Sequence, residues 1–396
     1  PFPILSLIDN PDLQKKNEKN YINNQHALVS NLKPIIKKTQ NKKIKIAYYS
    51  ADFNNHPTSY LMVRLIELHD RSDFEIFCFS LANRKDDEMR KRVSKACDKF
   101  LDVSLKSDLE IAEISRNLNI DIACDVMGFT KGNKFQIFAE KCAPIQVSYL
   151  AFPGTTGASF IDYVIADKTL ISQELKKHYS EKIIYLEDIW NCHSGFSEKR
   201  EFIEPPFKTN KYITFGSFNN FRKINDSVIN VWSSILKQVP NSKLILRPSD
   251  TASSSLVLEK FKKKGVSQSI IFQKFKKNLN EHLNEYKKID IALDTFPYNG
   301  VTTSFEAIWM CVPVLTIKGY NFISRAGESI NSNLNLNELI SKDENDYIKK
   351  AVSYCNDLDK LINLRRKIFE NALKSPLFDK KKFSSQFYTS LEKINK

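Results

Sequence analysis

Apolar residues recur along this chain in two rhythms. Short runs at 44–49, 74–79, 120–126, 146–150 and 163–166 are rich in Ile, Val, Phe and Tyr and end in polar or Gly-containing turns, which predicts buried strands. Between them, 60–68 and 109–118 space their apolar positions as one buried helix face requires. After a charge-rich stretch at 178–211 that holds Pro205-Pro206 and reads as a connection, the alternation resumes. Strands are predicted at 212–215, 244–246, 270–272, 289–293 and 314–317, with helices at 228–239 and 279–286. Near-continuous apolar strands alternating with amphipathic helices predict parallel sheets covered on both faces. The expected fold class is therefore α/β, with two Rossmann-like domains in tandem facing a central cleft.

The two ends differ from this body. Residues 1–40 are polar and helical in character, with Leu13, Tyr21 and Leu28 loosely spaced and Pro34 closing the pattern. A Lys-rich helix at 383–394 has apolar positions suited to packing back on the body. The expected divisions are an N-terminal helical segment 1–40, a first domain 41–205, a second domain 206–374 and a C-terminal helix within 375–396. A length of 396 residues agrees with two domains, and 42% apolar residues give each enough material for a core.

The formal charge of +14 raises the question of nucleic acid. The excess is Lys scattered among Asn, Ile and Ser, without a basic stripe interleaved with aromatics, so it predicts a solvated surface and no nucleic-acid partner. The seven cysteines include no C-x-x-C pair and sit mostly in apolar surroundings, which suits reduced, buried thiols in a cytoplasmic protein. No apolar run approaches the roughly 18 residues of a membrane helix and no signal-peptide pattern opens the chain, so no membrane partner is expected. The start at Pro1 rather than Met leads us to expect further sequence upstream. Glycine is scarce, with only ten residues, and eight of them (Gly128, Gly132, Gly154, Gly157, Gly216, Gly300, Gly319 and Gly327) lie at or just beyond predicted strand ends. That is where open α/β sheets bind ligands.

Candidate chemistry gathers at those strand ends. The run Ile289 to Asp294, then Thr295-Phe296-Pro297-Tyr298-Asn299-Gly300 and Val301-Thr302-Thr303, reads as a buried strand, a tight turn and a helix whose first turn offers hydroxyls. Unpaired amides and the helix dipole at such a junction favour a phosphorylated ligand, so a nucleotide or sugar nucleotide is expected. Phe215-Gly216-Ser217-Phe218-Asn219-Asn220-Phe221-Arg222-Lys223 leaves another strand with two amides and a Lys able to meet a diphosphate. His56, in Asp52-Phe53-Asn54-Asn55-His56-Pro57, is either a crevice His for a sugar or proton transfer, or an ordinary turn His. Asp125, before Met127-Gly128-Phe129-Thr130-Lys131-Gly132, either accepts a ligand hydroxyl or caps its own loop, while Thr130 is placed to reach a ligand. Phe152-Pro153-Gly154-Thr155-Thr156-Gly157 either lines a sugar pocket or is a plain strand-to-helix turn. His282 either stacks on a base or sits on a helix surface; His26, His69, His178 and His193 have no comparable setting. The only Asp-x-Asp, Asp357-Leu358-Asp359, lies in a polar helical stretch, so neither a metal nor another cofactor is expected.

Taken in order, these segments resemble the catalytic region of the protein O-linked N-acetylglucosamine transferase family, in its bacterial and SPINDLY-like branch. The resemblance covers roughly residues 1–385 and rests on Asp52-Phe53-x-x-His56-Pro57, Gly128 to Gly132, Ala143-Pro144-Ile145-Gln146-Val147, Pro153 to Gly157, Phe215 to Asn220, Ile289 to Gly300 with Thr302-Thr303, and Ser375-Pro376-Leu377-Phe378. It implies a GT-B fold, a donor nucleotide held mainly by the second domain, and metal-independent inverting transfer of a sugar to Ser or Thr hydroxyls of proteins. By position it makes Lys223 the diphosphate lysine, with His56 and Asp125 as the other catalytic candidates. Asn219, Asn220, His282, Thr302, Thr303, Glu306, Thr130 and Pro153 become donor contacts. Val301 and Glu306 depart from residues common in relatives, so UDP-N-acetylglucosamine stands beside GDP-fucose as donor. A sugar-nucleotide epimerase or a silent nucleotide-sugar-binding module would share this architecture. The tetratricopeptide array that usually precedes the region is expected upstream.

Overall fold

Residues 1–25, 30–35, 42–196, 200–248, 250–274, 276 and 278–396 are described by the computed structural model. His26 and Leu28 lie outside these residues. The chain divides into two units: Pro1–Phe2, Asn10–Gly195 and Phe378–Lys396 form the first, Pro3–Asp9 and Phe196–Leu377 the second.

The first unit is built on seven strands: β1 (Ile44–Ser50), β2 (Phe74–Ser80), β3 (Lys99–Asp102), β4 (Ile122–Asp125), β5 (Ile145–Ser148), β6 (Tyr163–Ala166) and β7 (Lys182–Tyr185). Their spatial order is β3-β2-β1-β4-β5-β6-β7 and every pairing is parallel. The central strands β1, β2 and β4 are buried along most of their length, because helices must cover both faces of a parallel sheet. Helix Lys380–Asn395 packs Phe383, Phe387, Tyr388 and Leu391 into this unit, and the Tyr388 hydroxyl donates to the Leu65 carbonyl at 3.2 Å.

The second unit repeats the plan with β8 (Thr214–Ser217), β9 (Lys243–Leu246), β10 (Ile270–Phe272), β11 (Ile291–Leu293), β12 (Val314–Ile317) and β13 (Ile340–Ser341), in the order β10-β9-β8-β11-β12-β13, again all parallel. Strands β3, β7 and β13 lie outside the runs read from the sequence, and all three are sheet edges. An edge is half solvated and tolerates charge, so Lys99-Phe100-Leu101-Asp102 carries no apolar run to find. All seven cysteines are free, and six are buried.

Each sheet reverses its order of construction at one place: between β1 and β4 in the first unit, between β8 and β11 in the second. Connections leave in opposite directions there and open a crevice beyond the carboxyl ends of the two strands. The topology thus selects two loop pairs before any side chain is considered.

Helix Pro11–Gln25 packs so closely on the loop after β5 that a Cβ at Gly157 would lie 2.6 Å from the Lys19 amide nitrogen. Glu18 of this helix is fully buried; its Oε2 accepts from Asn17 Nδ2 at 2.9 Å, while Oε1 has no partner. Burial, only partly offset by the bond from Asn17, pushes its carboxyl up to about 7. The fold therefore favours the protonated form. No penalty exists below the ordinary value of 4.5, and the penalty grows as pH rises until it is complete above about 7. Its full size is roughly 3 kcal/mol. Urea unfolding at about pH 5 and about pH 8 should show a loss of stability that Glu18→Gln removes; the same loss in both proteins would mean that Glu18 is not its source.

Candidate functional site

At the β8/β11 switch point, β11 runs directly into Asp294, a carboxylate only 1% exposed. Its Oδ1 accepts the amides of Gly300 at 2.6 Å and Thr295 at 2.9 Å, and its Oδ2 accepts the Thr316 hydroxyl of β12 at 2.9 Å. Burial still pushes it up to about 6, against the pull of these donors and of Lys223. The turn it closes is braced further. Thr295 Oγ1 donates to the Tyr298 carbonyl at 2.6 Å and Asn299 Nδ2 to the Thr295 carbonyl at 2.9 Å. Gly300 must lack a side chain, since a Cβ there would lie 2.5 Å from Thr303 Oγ1 and 2.9 Å from Ser304 Oγ.

The exit of β8 meets this turn through Asn219, which is 5% exposed. Its Nδ2 faces Asp294 Oδ1 at 3.4 Å, so its Oδ1 points the other way and accepts from both Lys223 Nζ at 3.2 Å and Thr303 Oγ1 at 3.1 Å. Lys223 Nζ also donates to the Asn299 carbonyl at 2.8 Å and lies 4.2 Å from the centre of the Tyr298 ring. Burial lowers its ammonium to about 8, a shift that Asp294 opposes. Helix Thr302–Trp309 starts beside it with no side-chain cap, leaving its first amides available to an anion. A small, half-open pocket is lined by Ser217, Phe218, Asn219, Asp294, Thr303 and Ser304 among others. The sequence-predicted Lys223, Asn219 and Thr303 are therefore in one place, with Thr302 heading the same helix. Asn220 is not: it is exposed, and its side chain accepts from the Arg222 amide at 3.0 Å.

A second cluster joins the helices Leu279–Glu285 and Thr302–Trp309. Glu306 Oε2 accepts from the Tyr286 hydroxyl at 2.8 Å and pairs with His282 Nε2 at 2.9 Å. Arg247 Nη1 donates to His282 Nδ1, which leaves the ring's proton on Nε2, facing the carboxylate. Burial would raise the Glu306 carboxyl, but the bonds from His282 and Tyr286 outweigh it and hold it below the usual range. Neither Arg247 nor Tyr286 was singled out by sequence. Arg247 is the first residue past β9, the same strand-exit position that flagged Lys223's loop, and this was its available signal.

In the first unit, the loops after β1 and β4 meet at the other switch point, where the Ala51 amide lies 3.2 Å from Met127 Sδ. His56 caps helix Pro57–Glu67, with Nδ1 accepting the Thr58 amide at 3.3 Å. Asp52 lies 3.6 Å from that nitrogen and 3.5 Å from Arg84. Burial lowers the His56 pKa, a shift that Asp52 opposes and Arg84 assists. Asp125 accepts the Met127 amide at 2.9 Å and the Gly128 amide at 2.9 Å, and burial pushes it up to about 6. Thr130 Oγ1 donates to the Met127 carbonyl at 2.9 Å, and Pro153 is buried. The neighbouring Thr155 and Thr156 hydroxyls are both committed to Glu181. Asp357, of the Asp-x-Asp pair, caps helix Leu358–Asn371. Among the described residues no three His, Cys, Asp or Glu side chains are grouped to hold a metal ion.

Residues 22–194 and 207–387 match glycosyl transferase family 41. The chain belongs to that family. Among family 41 relatives, it is 33% identical over 348 residues to the probable UDP-N-acetylglucosamine–peptide N-acetylglucosaminyltransferase SEC of Arabidopsis thaliana, covering 85% of this chain and 36% of that protein. With the corresponding SPINDLY protein of Petunia hybrida it shares 30% identity over 365 residues, 90% of this chain and 38% of that one. The chain thus spans little more than a third of the length of these curated relatives. A mutant form of the Thermobaculum terrenum O-GlcNAc transferase superposes with a TM-score of 0.90 at 27% identity, covering 99% of this chain and 75% of that one. Anabaena Alr3699/HepE, solved with UDP and glucose, matches at a TM-score of 0.58 and 12% identity, a likeness of fold alone. The two Rossmann-like sheets are those of a GT-B fold. Among the described residues no helix is long and apolar enough to cross a membrane.

Removing the Glu306 carboxylate leaves His282 and the Tyr286 hydroxyl buried without their partner. Glu306→Ala should destabilise the second unit by roughly 1–3 kcal/mol in a denaturant titration, whereas a change below about 0.5 kcal/mol would place the cluster in contact with water.

Proposed function

We propose that this chain transfers N-acetylglucosamine from UDP-N-acetylglucosamine to a Ser or Thr hydroxyl of a protein, with inversion and without a metal. The observation that carries the reading is the convergence of Lys223 and Thr303 on Asn219 Oδ1, beside an uncapped helix start at a switch point. The relatives named for this transfer support the donor and the protein acceptor. In this reading a diphosphate replaces the Asn219 and Asn299 oxygens as the partner of Lys223. The acceptor oxygen attacks the anomeric carbon, the bond from that carbon to the diphosphate oxygen breaks, and UDP leaves with the electron pair. Lys223 and the helix amides meet the charge that develops on it. The acceptor's proton passes to a departing phosphate oxygen, because His56 Nδ1 is occupied by the Thr58 amide and Asp125 by its own loop. The Arg247–His282–Glu306 cluster borders the nucleoside. Partners are then a nucleotide sugar and a protein.

Lys223→Met should lower transfer to a Ser/Thr peptide by roughly 100-fold or more, read as UDP release; near-parent turnover would remove Lys223 from the chemistry. In a thermal-shift panel, UDP-N-acetylglucosamine at about 100 times its Kd should stabilise the protein by about 2.7 kcal/mol. A shift given only by GDP-fucose would change the donor, and an epimer formed from UDP-N-acetylglucosamine alone would change the reaction.

The free Lys223 is cationic below about pH 8 and neutral above it, and a bound diphosphate raises its pKa. UDP affinity should therefore be steady near pH 7 and weaken above pH 8, by up to about tenfold per pH unit, with proton uptake on binding. Calorimetry in buffers of different ionisation enthalpy measures both. A flat profile from pH 7 to 9, or one that Lys223→Met leaves intact, would assign the phosphate charge to another group.

A further inference from the structure

The segment Pro3–Asp9 belongs to the second unit, although the chain that follows it from Asn10 belongs to the first. It is fastened at both ends. Leu5 is 1% exposed. Asp9 accepts the Tyr320 amide at 3.0 Å, the Asn321 amide at 2.9 Å and the Ser324 hydroxyl at 2.8 Å, and Asn321 Nδ2 donates to the Ile8 carbonyl at 3.3 Å. These donors lie in the loop after β12, where successive amides form a nest for an anion. Gly319 is required there, since a Cβ would lie 2.1 Å from Asp9 Oδ2.

Both sides of this attachment lead into the turn that fixes Lys223. On one side, Asn225 Nδ2 donates to the Ser6 carbonyl at 3.0 Å and to the Phe296 carbonyl at 2.8 Å, so one amide group spans the segment and the turn. Its Oδ1 meanwhile caps the helix Asp226–Gln238 through the Val228 amide at 2.9 Å, which fixes the direction in which Nδ2 points. On the other side, the loop gripped by Asp9 continues to Gly327, whose amide donates to Asn299 Oδ1 at 3.1 Å. Asn299 is the residue whose carbonyl holds Lys223.

We propose that Pro3–Asp9 is a working part of the nucleotide-sugar site, and that Asn225 is a positioning residue that passes the docking of this segment to the turn 294–300. The inference rests on the donor reading given above. With the segment docked, the Phe296 and Asn299 ends of the turn are held and Lys223 is presented to the diphosphate. With it released, the turn loosens and donor affinity falls.

The test compares the parent with Asp9→Ala, Asn225→Asp and the double variant. Asn225→Asp keeps an oxygen to cap the helix and loses the donor to both carbonyls. Each single change should weaken UDP binding about tenfold by calorimetry, and amide exchange should quicken at 294–300. The donor KM should rise in proportion while turnover at saturating donor stays within about twofold of the parent. The double variant should be no weaker than the weaker single one, because both act through one connection. Parent-like UDP affinity in Asp9→Ala, with exchange at 319–325 showing the segment released, overturns the proposal, as do losses that simply add. Should the parent not bind UDP, the donor reading fails. Exchange at 294–300 in Asp9→Ala then decides the wiring alone, unchanged protection there overturning it.

Discussion

Everything in the second unit's site depends on one buried carboxylate, that of Asp294. An isolated charge at that depth would cost several kcal/mol, and it is tolerated because donors reach it from its own turn, from Thr316 on β12 and from Asn219 past β8. Satisfying Asp294 fixes which end of the Asn219 amide faces inward. The opposite end, Oδ1, is then left to collect Lys223 and Thr303. A requirement for hydrogen bonding inside the core thus becomes a pattern of donors at the surface of a cavity.

In the proposed reading, the magnitudes rank the groups that would meet a diphosphate there. A helix start contributes about 0.3–2 kcal/mol, while a whole ammonium charge, partly shielded from water, interacts far more strongly at the same distance. Lys223 therefore dominates and the helix start refines. The cost of this arrangement appears in the same residue: holding an ammonium away from water moves its titration down to about 8, within reach of ordinary solution conditions. The neighbouring cluster solves the opposite problem, since His282 and Tyr286 keep the buried Glu306 ionised.

Much of this was legible in the sequence, for reasons that are local. Central strands of a parallel sheet must be apolar on both faces, so runs such as Ile289 to Leu293 stand out, and their exits carry the Gly, Asn, Thr and Lys that a crevice uses. Lys223, Asn219 and Thr303, which the structure brings together, stand out in the sequence for this reason. What was hidden is long-range. Of the four edge strands, β10 is read from its apolar run Ile270 to Phe272, while the short β3, β7 and β13, mixed with Lys, Asp or Ser, are not. Asn220 reads like Asn219 one residue away, but it caps the turn Phe221–Lys223 and faces solvent. Thr155 and Thr156 look available until Glu181, 26 and 25 residues onward, takes both hydroxyls. Asp294 was visible within the richest stretch of the chain, but nothing local distinguishes an anchoring carboxylate from a loop cap. Arg247 and Tyr286 acquire meaning only through their distances to His282 and Glu306.

The order in which the chain visits its two units has a practical side. It passes from one to the other after Phe2, after Asp9, after Gly195 and after Leu377. Neither half is a contiguous fragment, so no single nick by a protease can liberate either one whole. A piece beginning at Phe196 would carry both clusters of the second unit yet lack the seven-residue clasp of Pro3–Asp9, and a piece ending at Gly195 would lose the helix that buries Phe383 and Phe387. Trimming this protein to its halves removes parts of each that lie far away in sequence.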